Sequence, residues 1–156
     1  MKHLFTVLSV VLLSTVSAQT GEGDLASGDL VVSTNSGLWT DTSIWDCACV
    51  PGAAHEVTIL GGHSVEVGMA DTIRVESVSI SAGGALVLAA DVQLELTTSL
   101  ASNGDIHGPG RVAFVGEGPQ TCGPAVLNVL DCGMGELTFV DLVTVTSVFD
   151  LSTAHV

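Results

Sequence analysis

The side chains that could do chemistry in this 156-residue chain are few and scattered. Past the first segment there are four histidines, His55, His63, His107 and His155, each beside a turn or the terminus. A metal or acid–base site would need the fold to bring several of them together. Stacked repeats could align His63 with His107, but nothing in the spacing requires it, and solvated turn histidines are the simpler reading. Glu66, Asp71, Asp91 and Glu95 are spread over turns and alternate strand positions, as on a solvated face. Paired carboxylates for glycan cleavage would instead sit together, with basic groups or a metal nearby. Gly-x-Ser-x-Gly, His-Glu-x-x-His and a phosphate-cradling glycine loop do not occur. We therefore expect no catalytic residue, no cofactor and no metal site.

Two other residue sets stand out. Trp39 and Trp45 are the only tryptophans. Six residues apart and just ahead of the repeats described below, they suit either a cap over an exposed end or a platform on which a sugar ring stacks. The cap is the preferred reading, with carbohydrate stacking on Trp39 and Trp45 as the alternative. Cys47, Cys49, Cys122 and Cys132 are disulfide candidates, since an exported chain tends to bridge its cysteines. Three connectivities are open. Pairing Cys122 with Cys132 would leave Cys47 and Cys49 to close a small ring, which strains disulfide geometry. Neither cysteine spacing is usual for zinc.

The export reading comes from the start of the chain. Lys2 and His3 precede an apolar run from Leu4 to Val16, and Val16-Ser17-Ala18 offers small residues for a signal peptidase. Residues 1–18 read as a signal peptide, too short to span a membrane. With the leader removed, Arg74 and Arg111 face 17 acidic residues, a net charge of −15. Such a surface repels nucleic acid and anionic membranes. Possible partners are surface glycans or other surface proteins. Calcium is poorly supported, because no Asp-x-Asp-x-Asp cluster or glycine-rich calcium repeat is present.

The elements that would position these groups are short strands. Val57-Thr58-Ile59, Val65-Glu66-Val67, Ile73-Arg74-Val75, Val78-Ser79-Ile80, Leu86-Val87-Leu88, Val92 to Leu96 and Val112-Ala113-Phe114 alternate apolar and polar residues. Gly62, Gly84, Gly104 and Gly123 punctuate them at intervals of 22, 20 and 19 residues. A strand-only repeat of this length predicts a β-solenoid, in which each turn buries the apolar side of the one before. A β-sandwich is the alternative. Residues 19–29 read as a flexible leader, 30–56 as an N-terminal aromatic cap and 57–156 as solenoid turns. Asn103 to Gly110 is the densest turn region. The end at His155-Val156 lacks a closing unit, so further turns are expected beyond it.

Certain of these residues resemble a known pattern. Trp39-x5-Trp45, Val50-Pro51-Gly52, Val57-Thr58-Ile59, Gly62-His63-Ser64-Val65-Glu66-Val67 and Val78 to Leu86 look like the opening of parallel β-helix regions in large secreted bacterial surface proteins. Many of those proteins use the type IX export route. Gly104 to Phe114 and Gly118-Pro119-Gln120-Thr121 fit the same regions, and the front half is also similar to the eight-glycine domain of cell-surface proteins. The resemblance implies a right-handed parallel β-helix, secretion or cell-surface placement, and a role as stalk, spacer or adhesin scaffold. It brings no catalytic residues. The front of a β-helix polysaccharide-degrading enzyme is a further alternative.

Overall fold

The computed structural model describes residues 28–68, 71–133 and 135–150. The expected signal peptide, most of the expected leader and everything after Asp150 lie outside the described residues. The described chain is nearly all strand. In order it forms β1 (Asp29–Val32), β2 (Gly37–Leu38), a 3-10 turn (Thr42–Ile44), β3 (His55–Ile59), β4 (Ser64–Val67) and β5 (Thr72–Ile80). There follow β6 (Ala85–Leu88), β7 (Gln93–Ser102), β8 (Asp105–His107), β9 (Arg111–Phe114), β10 (Gln120–Cys122), β11 (Ala125–Cys132), β12 (Leu137–Phe139) and β13 (Val143–Asp150).

All strand pairings between these elements are parallel, and each strand pairs with strands from the preceding and following turns of chain. This is a β-solenoid, not two sheets packed face to face. The long strands bend from one side of the column to the next. Their register shifts between Val75 and Ser77 and between Leu127 and Val129, where a bulge turns the backbone. Each full turn thus presents three strand segments, one per side.

Inward ladders run down all three sides. Val31, Val57, Val78, Leu100, Cys122 and Phe139 are successive neighbours on the first. Gly37, Val65, Leu86 and Ile106 line the second, and Ile73, Leu94, Val112 and Leu130 the third. Most of these aliphatics are almost fully buried, Val65, Leu86, Leu94 and Leu130 at 0% exposure. Each contributes roughly 1.5–3 kcal/mol on burial. The alternation predicted from Val57 onward is realised as a period-2 burial pattern in β4, β5, β6 and β7.

Turns shorten along the column. Val31 pairs with Val57, 26 residues on; Ile73 with Leu94, 21 on; Val112 with Leu130, 18 on. Corners this tight need glycine. A Cβ on Gly104 would run into the Gly84 carbonyl oxygen and come within 2.7 Å of both the Ser81 oxygen and Ile80 Cγ2.

Two details differ from the sequence reading. The dense turn region Asn103 to Gly110 contains β8, which pairs with β6 through Ala85–Asp105, Leu86–Ile106 and Val87–His107. The expected corner before Cys122 contains β10, paired to both β7 and β12. Each is three residues long and rests on its neighbouring turns, so glycine-rich flanks hid it.

Candidate functional site

The front of the column is built by residues 33–51. Trp39 and Trp45 meet edge to face with ring centroids 5.1 Å apart, and their exposures are 1% and 3%. Trp45 Nε1 donates to the Trp39 carbonyl at 2.9 Å, and Trp39 Nε1 donates to the Pro51 carbonyl at 3.3 Å. Both indole donors are therefore satisfied within the fold. With the rings inside the core beside Ile44, neither offers an open face to a sugar. A cleft of about 210 Å³ lies next to Trp39, lined by Leu38, Thr40, Val67, Asp71 and Ile73.

The same segment covers the edge of the first strand. Val32 donates its amide to Asp46 Oδ1 and accepts from the Asp46 amide; the Thr34 amide reaches the Ile44 carbonyl. Asp41 caps the 3-10 turn. Hydrogen bonds from the Ser43 hydroxyl and then the Ser43 amide hold the Asp41 carboxyl below its ordinary range. Cys47 and Cys49 are joined in a disulfide, with Cα atoms 5.1 Å apart. Left-handed Ala48, at φ 52°, closes that small ring. Cys122 and Cys132 are instead buried thiols, 0% and 5% exposed. Burial pushes the Cys122 thiol up to about 11, and neighbouring Cys132 raises it further in the same direction.

The histidines do not converge. His107 stands on the outward ladder Leu38, Glu66, Val87, His107, its Nε2 3.9 Å from Asp105 Oδ2. His55 Nδ1 accepts from the Gly52 amide at 2.7 Å. His63 Nδ1 lies 2.8 Å from Ser33 Oγ. This serine–histidine contact went unseen in the sequence, because 30 residues separate the partners and no motif marks them. It has the donor–acceptor pairing of a nucleophile and its base. But Ser33 is 0% exposed and its oxygen also accepts the Leu60 amide at 2.9 Å, so it staples the first turn to the next corner. His155 lies outside the described residues. Among the described residues, no group of three or more His, Cys, Asp or Glu side chains could hold a metal ion.

The acids and arginines share one outward face. Arg74 Nε is 3.6 Å from Glu95 Oε2, and Gln93 Nε2 donates to Glu95 Oε1 at 2.7 Å. Next along that ladder come Ala113 and then Asp131. Glu66 faces outward on another side, and Asp71 and Asp91 sit at exposed bends. No two carboxylates flank a common cleft in the way glycan cleavage requires.

The remaining outward face is nearly free of charge. Register places Glu56, Ser77, Ser99, Thr121 and Thr138 in one column, with Thr58, Ser79 and Ala101 in the next. Neighbouring rungs of such a column are about 4.8 Å apart. Comparison of the chain with protein-family models, with curated proteins and with solved structures finds no match in any of the three.

Proposed function

We propose that this chain is a non-catalytic β-solenoid module that works at the cell surface or as a secreted protein, as a spacer or adhesin scaffold. The observation that carries this reading is the division of labour along the column. Inward ladders are aliphatic from turn to turn, while outward ladders hold separated acids, one Arg–Glu pair and hydroxyls. A column of that kind gives length and stiffness from nearest-neighbour burial and leaves its sides as contact surface. The leader-like first segment and the motif order shared with bacterial surface proteins support placement outside the cytoplasm.

The hydroxyl face supports the adhesive form of the reading. A flat, uncharged array on a chain of net charge −15 suits a neutral polyhydroxyl partner such as a surface glycan, held by many weak hydrogen bonds. Stacking on Trp39 and Trp45 would require the front of the column to open. A scaffold leaves glycans intact. Incubation with a panel of glycan polymers should give no loss of polymer, and retention on an insoluble glycan should fall when Ser79 and Thr121 are replaced by arginine-sized side chains. Polymer loss that an Asp or Glu substitution within residues 57–115 abolishes would overturn the proposal.

A further inference from the structure

The two ends of the column are chemically unlike. At the front, Asp46 occupies the edge of β1, and Trp39, Ile44 and Trp45 fill the mouth. At the back, β13 pairs only with β11, and β12 only with β10, so each has an outer edge without a partner among the described residues. Beside those edges Val140 is 64% exposed and Leu142 is 76% exposed. Together with Phe139, Val143 and Val145 they line an apolar groove of about 450 Å³. Bare apolar side chains next to an open strand edge template pairing with another chain.

We infer that the back end is a self-association surface that joins two copies of this chain through a two-fold axis. Charge selects the second copy. Two molecules of net charge −15 repel over most of their surfaces, yet residues 137–147 carry a single charge, Asp141. That carboxylate is turned back onto its own corner, where Oδ1 accepts the Leu142 amide at 2.7 Å. Geometry selects the symmetry. The front is covered, so a head-to-tail filament would lack a matching edge, while two back ends are identical and close on each other. Related by a two-fold axis, the β13 strands run antiparallel. Val143 and Val145 of both copies then stay on the inner side, and the core continues across the seam. The dimer is a column of doubled length with a covered front at each tip, an addition to the scaffold reading that stands or falls independently of it.

Sedimentation velocity over a concentration series of the full chain tests this. A monomer–dimer equilibrium is expected, and Leu142→Lys should weaken it by about tenfold or more, since it sets a charge in an apolar seam. Val140→Lys should act in the same direction, whereas Leu30→Lys at the front, itself 59% exposed in wild type, should leave the equilibrium unchanged. All three sites are exposed, so circular dichroism should match the wild type. A monomer at every concentration would overturn the inference. So would a dimer that ignores Leu142→Lys, or one that Leu30→Lys weakens equally.

Discussion

Stacked corners make a sharp demand that two glycines separate cleanly. Gly104 has ordinary backbone dihedrals, but an added Cβ would strike the Gly84 carbonyl and crowd the Ser81 oxygen and Ile80 Cγ2, both at 2.7 Å. Two of these three obstacles are backbone of the preceding turn and cannot swing aside. Gly62 is the opposite case, with φ +84° and nothing within 4 Å of an added Cβ. Gly62→Ala should therefore cost only the left-handed penalty, about 1 kcal/mol. Gly104→Ala should cost about 3 kcal/mol, the upper end of ordinary overpacking, because the corner and its neighbour must separate. For a column this size that difference lowers the melting midpoint by several degrees, at about 3 °C per kcal/mol. Urea or thermal unfolding should be followed twice, by far-ultraviolet dichroism for the strands and by tryptophan fluorescence for the front, since stacked repeats need not unfold together. If Gly62→Ala proves as damaging as Gly104→Ala, the corners are not packed against each other and the stacking argument fails.

Other expectations follow from the same contacts. Ser33→Ala strands the buried Leu60 amide and removes the His63 contact, so it should cost about 1–3 kcal/mol in denaturant titration, against a negligible change for exposed Ser79→Ala. The Cys122 thiol is protonated in the fold to about pH 11, whereas in the unfolded chain it ionises near its ordinary 9.0. The unfolded state then binds fewer protons above pH 9, so stability should fall between pH 9 and 11 by an amount of order 2 kcal/mol, and Cys122→Ala should flatten that slope in melts run against pH. Reducing the Cys47–Cys49 bridge removes a loop of minimal length, and melts with and without reductant should differ by no more than about 1.5 kcal/mol.

Much of the column was legible because its period is carried by residue types that leave little choice. Val57, Val65, Leu86 and Leu94 alternate with polar neighbours, and a one-residue slip would turn each of them outward. Glycine spacing gave the turn length for the same reason, since Gly84 and Gly104 sit where one corner lies against the next. What stayed hidden depended on contacts between distant turns. β8 and β10 are strands only because β6 and β7 supply their partners. Runs such as Ile73–Val75 and Val78–Ile80 join into one bent strand, with Glu76 at a bulge that the local sequence does not mark. The cysteine pairing was open at the sequence level for a related reason. A two-residue ring is unfavourable in an ideal chain, but left-handed Ala48 brings Cys47 and Cys49 together, while Cys122 and Cys132 belong to different inward ladders.

The shortening of the turns bears directly on where function can reside. Solenoids that carry elaborate sites commonly place them on insertions at the corners, which lengthen individual repeats. Here the step from one rung to the next falls from 26 residues at the front to 21 and then to 18. The surplus in the longest step is spent on the loop that buries Trp39 and Trp45 and covers Val32, so it serves closure of the end. An 18-residue step with three strand segments leaves only a few residues per corner, and those corners are filled by glycine and backbone contacts. Little chain remains with which to build a cleft. Recognition by such a molecule must come from its flat outward ladders or from its ends, where single residues repeat at strand spacing and weak contacts add up. That constraint is why the scaffold reading places partner contact on the hydroxyl columns and self-contact on the open back edge.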